Sequence, residues 1–383
     1  MNVFLSALKR SAWIVVLLAL GLAGCERVPS VIKIGVAQPL TGPIAGLGQD
    51  LLNGVKMAVE ELNKEGFTVQ GKPVTLELMV VDDRSNPEVG KAVAQQLVDG
   101  GVLAVIGHLN SGVSIPAAPI YAKANIAELA ISTNPKFTEQ GLPTTLRLVA
   151  NDTLQAKAIG SFAASHFGNV KYAVLDDGTQ YGKDLAAGAV ANLKANGKEI
   201  ALQKSYDDKT TQFDELAAAL KADDVGVVVS TLNDFQLLAL LETLKKIGYT
   251  KLKVLGADTV KTPLLLKAES IGIPIYASSP IVDIKEFGPG AAYHAKYLEK
   301  FKIEPSYASH YTYDAMYVLA AAIRRAPKVT AQDITETLRA MDGYAPVTGS
   351  MKWDAKGEQR YGVIGIYKVE GGAWQIEMRS DVW

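Results

Sequence analysis

Four histidines and a single cysteine set the first limit on the chemistry this chain can do. His108, His166, His294 and His310 are scattered, and neither their spacing nor their neighbours suggest a metal site. There is no G-x-x-x-x-G-K-S/T phosphate loop, no G-x-G-x-x-G after the first strand pattern and no H-E-x-x-H, so the sequence points away from an enzyme and implies no cofactor. What remains are hydroxyls and acids placed at the ends of apolar runs. Ser111 follows the run Val102 to Ile106 and opens a helical stretch reaching about Ala124. Its hydroxyl and the nearby backbone N–H groups then stand at the positive end of a helix, which suits a carboxylate. The alternative is a plain helix N-cap. Ser132 and Thr133 follow the next run, Ala127 to Ile131, either beside Ser111 at the carboxyl edge of a sheet or as solvated turn hydroxyls. Asp258 follows Lys253 to Leu255 and otherwise caps the helix that Thr262 and Pro263 begin. Tyr181 follows the pair Asp176-Asp177, or is an exposed turn tyrosine.

Such residues need a scaffold, and the pattern supplies one. Short β-branched runs alternate with amphipathic stretches: strand Ile32 to Ala37, helix Leu51 to Asn63, strand Val74 to Val81, helix Pro87 to Asp99, strand Val102 to Ile106. The rhythm restarts after Asn151 with helix Thr153 to Phe167, strand Tyr172 to Leu175, helix Gly182 to Asn196 and strand Ile200 to Tyr206. It continues through helix Phe213 to Ala222, strand Val225 to Ser230, helix Asn233 to Ile247 and strand Lys253 to Leu255. Strands separated by helices of this length argue for parallel βαβ units with right-handed crossovers. The predicted fold class is therefore α/β, with two doubly wound Rossmann-like lobes. Helices Ala291 to Phe301, Tyr311 to Arg325 and Ala331 to Met341, then strands Val347 to Trp353 and Val363 to Val369, break the rhythm near the end.

At 383 residues and 48% hydrophobic residues the chain can bury two domain-sized cores. A formal charge of −1, with acids and bases interspersed, offers no broad basic face for nucleic acid. The N-terminus carries an export pattern: Lys9 and Arg10, the apolar run Trp13 to Leu22, then Ala23, Gly24 and Cys25. That run is short of the roughly 20 apolar residues of a membrane span. Leu22-Ala23-Gly24-Cys25 resembles a bacterial lipobox, which implies lipidation at Cys25, a tether over 26–30 and an anchored, periplasmic or otherwise extracytoplasmic protein. The absence of any other cysteine fits an exported chain that uses one thiol for an anchor and none for disulfides.

A resemblance sharpens this reading. Ile34-Gly35-Val36-Ala37-Gln38-Pro39-Leu40-Thr41-Gly42-Pro43, Val80-Val81-Asp82-Asp83, Val105-Ile106-Gly107-His108-Leu109-Asn110-Ser111, Gln180-Tyr181-Gly182, Tyr311-Thr312-Tyr313-Asp314-Ala315 and Trp353-Asp354-Ala355-Lys356-Gly357 resemble, in order and spacing, the leucine/isoleucine/valine-binding proteins among the type I periplasmic binding proteins. The resemblance implies a lobe of 31–150 plus about 277–353, a second of 151–276 plus about 354–383, and hinge segments near Ala150, Ala277 and Trp353. It also implies an ABC importer component that delivers an aliphatic amino acid to a membrane permease and its ATPase subunits.

A free amino acid brings a carboxylate and an ammonium, and a dry pocket must satisfy both. The resemblance implies Ser111, Ser132 and Thr133 of the first lobe on the charged groups, Asp258 of the second on the ammonium, and Tyr181 as a cover on closure. Leu232 and Leu47 stand where relatives carry aromatic pocket residues. Ser132-Thr133-Asn134-Pro135 is about two residues shorter than the corresponding loop in many relatives, and Ser85 and Asn110 stand at the positions of the family's disulfide cysteines. Two other readings keep the fold: an importer subunit for an amide, urea or an aromatic carboxylate, and a ligand sensor. The absence of any signalling domain or second membrane span before Trp383 argues against a one-chain receptor.

Overall fold

Val31–Gln38 (β1) alternates at first and is then continuously buried, which is how a strand covered on both faces reads. The computed structural model describes residues 28–381, so the signal segment and Cys25 lie outside the described residues. After β1 come α1 (Ala45–Lys64), β2 (Thr75–Asp82), α2 (Pro87–Asp99), β3 (Ala104–Gly107), α3 (Ser111–Lys123), β4 (Ala127–Ala130) and β5 (Thr145–Arg147). The five strands form one parallel sheet in the order β2-β1-β3-β4-β5. Ile32, Ile34 and Val36 face the core under α1, while Ala37 and Val105 pack with Ala94, Leu97 and Tyr121 of α2 and α3.

The second unit repeats the plan: α4 (Asp152–His166), β6 (Lys171–Asp176), α5 (Gln180–Ala195), β7 (Glu199–Ser205), α6 (Asp214–Ala222), β8 (Val225–Ser230), α7 (Asp234–Lys246), β9 (Lys253–Gly256) and β10 (Ile275–Ser279). The chain then returns to the first unit through α8 (Gly290–Phe301), α9 (Ser309–Arg325) and α10 (Ala331–Ala340), and ends on β11 (Gly365–Glu370) and β12 (Ala373–Arg379). The second sheet runs β12-β11-β10-β9-β8-β6-β7, parallel except for its last two strands. Both parallel blocks thus share one order, second-first-third-fourth-fifth, and each has its switch point beside its first strand. The return of α9 depends on Gly54, where an added Cβ would lie 2.0 Å from the Ser309 carbonyl oxygen, so α1 and α9 touch backbone to backbone.

Three segments join the units. Ala277, near which the resemblance puts the second crossing, lies inside β10, and the chain leaves that sheet only after Ser279. Trp353 and Glu358 still hold to β5, through Trp353 Nε1 donating to the Arg147 carbonyl oxygen at 2.7 Å and through the Arg147–Glu358 ion pair. Leu148 and Val149, Pro280 and Val282, and Tyr361 and Gly362 line one small cavity of 180 Å³, so the three crossings run side by side as a hinge.

His310 anchors the middle crossing, its Nε2 donating to the Val282 carbonyl oxygen at 3.0 Å. Burial, the largest cause, with Lys261 adding to it, lowers its pKa from 6.5 to about 4. The unfolded chain therefore binds a proton that the folded one refuses, and this site withdraws up to about 3 kcal/mol of stability as pH falls from 6.5 towards 4. Thermal unfolding of His310→Asn is expected to show a flatter acid limb over that window than the parent protein.

Candidate ligand-binding site

The carboxyl ends of the two sheets face each other across a cleft of about 420 Å³, inside the range of roughly 300–1,000 Å³ usual for small-molecule sites. Pro43 and Ile44 enter after β1, Ile115 and Pro116 from α3, and Phe235 from α7, giving the mouth an apolar lining. A wider depression at the opposite, amino end of the second sheet is lined by Lys171, Lys198, Lys251 and Lys253. Lys198 is bound there to the Gly168 carbonyl oxygen and Lys251 to Asp224. Doubly wound sheets take ligands at their carboxyl ends, which leaves the cleft as the candidate.

Ser111 and Tyr181 stand on the cleft wall. Ser111 is the first residue of α3 and not its cap: Asn110 occupies that position without a side-chain capping bond. The Ser111 hydroxyl accepts instead from the Asn134 N–H at 3.3 Å. Ser132, Thr133 and Asp258 are as buried, none more than 3% exposed, and are not themselves on that wall. Asp258 opens a 3-10 turn and does not cap the helix after Thr262. Its Oδ1 accepts from the Tyr181 hydroxyl at 2.6 Å and from Gln155 Nε2 at 3.1 Å, and its Oδ2 accepts from the Tyr307 hydroxyl at 3.0 Å. Burial first, and the Asp258 charge second, push both phenols well above 10, so both remain donors. Tyr181 is accordingly not an exposed turn tyrosine, and Asp258 sits between a second-unit tyrosine and a first-unit one.

Leu232 is placed differently from the expectation. It is fully buried with Leu237, Leu240 and Val260 in the second unit's core, and Leu47 packs in the first unit's core. The reason is direction: Leu232 follows β8 and turns under α7, leaving the cleft face to Asn233 and Phe235. Ser85 and Asn110 reach the cleft wall, each with a side-chain oxygen that has no partner.

Sequence reasoning missed the residues beneath the shortened loop. Arg147, wholly buried at the end of β5, donates to the Ser132 and Asn134 carbonyl oxygens and to Thr138, and makes a two-pronged pair with Glu358 at 3.0 Å through Nε and through Nη2. Burial alone pushes Glu358 up, but Arg147, Thr138 and Asn151 hold its carboxyl below the usual range. The turn that carries Glu358 approaches β5 so closely that Gly357, at φ +95°, leaves no room for a side chain: an added Cβ would lie 2.0 Å from the Thr145 carbonyl oxygen. An arginine inside an otherwise apolar run, Leu146 to Ala150, was the available signal. Gln155 and Tyr307 carried none.

The two units also touch at the cleft rim. Asp184 of α5 accepts from Lys136 Nζ at 2.8 Å and Asn134 Nδ2 at 2.7 Å across the gap, and from Gln180 within its own helix. Burial raises its pKa, but these donors outweigh it and the carboxyl is held low. The pair is half exposed, so its worth is about 0.2–1 kcal/mol. Asp184→Asn is expected to raise the ligand off-rate a few-fold in stopped-flow measurements while leaving the Tm nearly unchanged.

A periplasmic binding protein family model matches residues 31–373. This chain belongs to the periplasmic binding protein family. A Leu/Ile/Val-binding protein homologue of Brucella suis is 30% identical over 349 residues, 89% of this chain and 91% of that one. Among solved structures, the branched-chain amino acid transporter substrate-binding protein LivJ of Streptococcus pneumoniae, in complex with isoleucine, superposes with a TM-score of 0.81 at 22% identity, covering 91% of this chain and 98% of its own. A solute-binding protein of an ABC transporter from Rhodopseudomonas palustris, in complex with 3,4-dihydroxybenzoic acid, gives 0.80 at 21% identity over 92% and 97%. The fold is that of the type I periplasmic binding proteins, and the family is one of solute-binding proteins rather than enzymes. No described helix of this periplasmic binding protein is long and apolar enough to cross a membrane.

Proposed function

We propose that this periplasmic binding protein is the extracytoplasmic solute-binding subunit of an ABC importer and that its ligand is an α-amino acid with an aliphatic side chain. The observation that carries the reading is a helix amino end at Ser111 on the cleft wall together with a buried acid, Asp258, bonded to the cleft-lining Tyr181. Those are the two charges a zwitterion needs, and Ile44, Ile115 and Pro116 offer its side chain an apolar wall. Ser111, Ser132 and Thr133 take the carboxylate side and Asp258 the ammonium, while Tyr181 closes over them. The resemblance of the relatives supports an aliphatic ligand.

The first lobe takes 31–150 and about 280–358, and the second the remainder of the described chain. Ligand touches both lobes, so binding favours the closed form, which a membrane permease reads. Cys25 carries a lipid anchor and holds the domain outside the cytoplasm. Titration calorimetry tests the ligand class: the domain from Glu26, unfolded and refolded to strip carried ligand, is titrated with amino acids, urea and benzoate-type acids. Leucine, isoleucine or valine binding with no heat from aromatic acids supports the reading. Binding of 3,4-dihydroxybenzoate alone replaces it with an aromatic-acid importer subunit.

A further inference from the structure

Asp152 is the first residue of α4, 3% exposed, and neither of its carboxylate oxygens has a hydrogen-bond partner in good geometry. An acid in the first helical turn ordinarily takes the free N–H groups of that turn. Here Asn151 already does so, accepting from Thr153 and Leu154. Asp152 is tied to the ligand loop through its backbone N–H, which donates to the Thr133 carbonyl oxygen at 2.9 Å. One turn on, Gln155 spends its amide N–H groups on Asp258 and Ser278 and leaves its Oε1 without a donor. The Ser132 hydroxyl is equally unpartnered. Three buried oxygens without donors, two of Asp152 and one of Gln155, therefore stand beside Asp258, and the Ser132 hydroxyl belongs to the loop bonded to Asp152.

We propose that Asp152 and Asp258 act as an acid pair on a single ligand ammonium, Asp152 holding a proton before the ligand binds and losing it to solvent as the ammonium enters. This rests on the amino-acid reading above and adds a second acid to it. The ammonium brings three N–H donors, Asp258 has its oxygens already engaged by Tyr181, Gln155 and Tyr307, and the donor-poor acceptors are those of Asp152, Gln155 and Ser132. The charged and titratable groups that face Asp152 are Asp258 after β9, Asp184 and Tyr181 of α5, Tyr307 before α9 and Arg147 of β5. Burial first, then the Asp258 charge, push Asp152 up to about 8, while the Thr133 side chain and Arg147 pull more weakly the other way. A bound ammonium reverses the balance by placing a positive charge between the two acids.

Calorimetric titration of the intact soluble domain with leucine, isoleucine and valine, in two buffers of different ionisation enthalpy at pH 6.5, counts the protons exchanged. The expected result is release of up to one proton per ligand and a Kd that falls by up to tenfold per pH unit between pH 5.5 and 7.5. Asp152→Asn keeps the shape of the site and is expected to bind with no proton release and a flat pH profile. Binding by the parent protein without proton release overturns the acid pair and leaves the amino-acid reading standing. Undiminished release from Asp152→Asn likewise overturns it. Failure of every amino acid to bind overturns both.

Discussion

Replacing Asp258 by alanine is expected to weaken amino-acid binding by about 2–5 kcal/mol, on the order of 30-fold to several thousand-fold in Kd. The loss has two parts. The ammonium forfeits a charge-assisted hydrogen bond in a place that water does not reach. The hydroxyls of Tyr181 and Tyr307 and the Gln155 amide also lose their shared acceptor and are left buried without one. Asp258→Asn separates the two, because its amide keeps one acceptor oxygen, enough for Tyr181 and Gln155, leaves the Tyr307 hydroxyl to turn and accept from the new NH2, and removes the charge. Calorimetry on both variants checks this: equal losses assign the effect to charge, whereas a near-normal Asn variant removes ammonium pairing and favours a ligand without an ammonium.

Arg147→Met is expected to be the most damaging change to the fold, costing about 3–5 kcal/mol of unfolding free energy in a urea titration. The methionine fills a similar volume but strands the Glu358 carboxylate and the Ser132 and Asn134 carbonyl oxygens, all held by one guanidinium. Pairing it with Glu358→Leu is expected to restore part of the loss, since a buried charge without its partner is the larger penalty. The double variant is still expected to bind ligand poorly, because the loop carrying Ser132 and Thr133 no longer has its support. Recovery of full affinity in the double variant would show that the loop stands without Arg147.

How much of this was legible depended on the range of the interactions. Strands buried on both faces announce themselves, so Val225 to Ser230 and the helix Pro87 to Asp99 were read at their structural bounds. β12 was not foreseen although Trp374, Ile376 and Met378 alternate with Gln375, Glu377 and Arg379, the pattern of a strand with one face covered. The site shows the same division. Ser111 and Asp258 sit at ends of obvious strands, where sheet topology alone predicts ligands. Tyr307 meets Asp258 from 49 residues away and Glu358 meets Arg147 from 211, and such pairings become visible only once the chain has folded back. Leu232 entered through the resemblance alone, and no local signal in the sequence showed that it would pack beneath α7 rather than face the cleft.

The threefold passage of the chain between its two sheets also orders the events of biosynthesis. The sheet that begins with β6 receives β11 and β12 only when residues 365–379 have been made, and α1 meets its neighbour α9 only after about 250 intervening residues. Neither lobe can finish while the chain is still emerging. On the export reading proposed above, these late contacts postpone the native state until the whole length is available for threading.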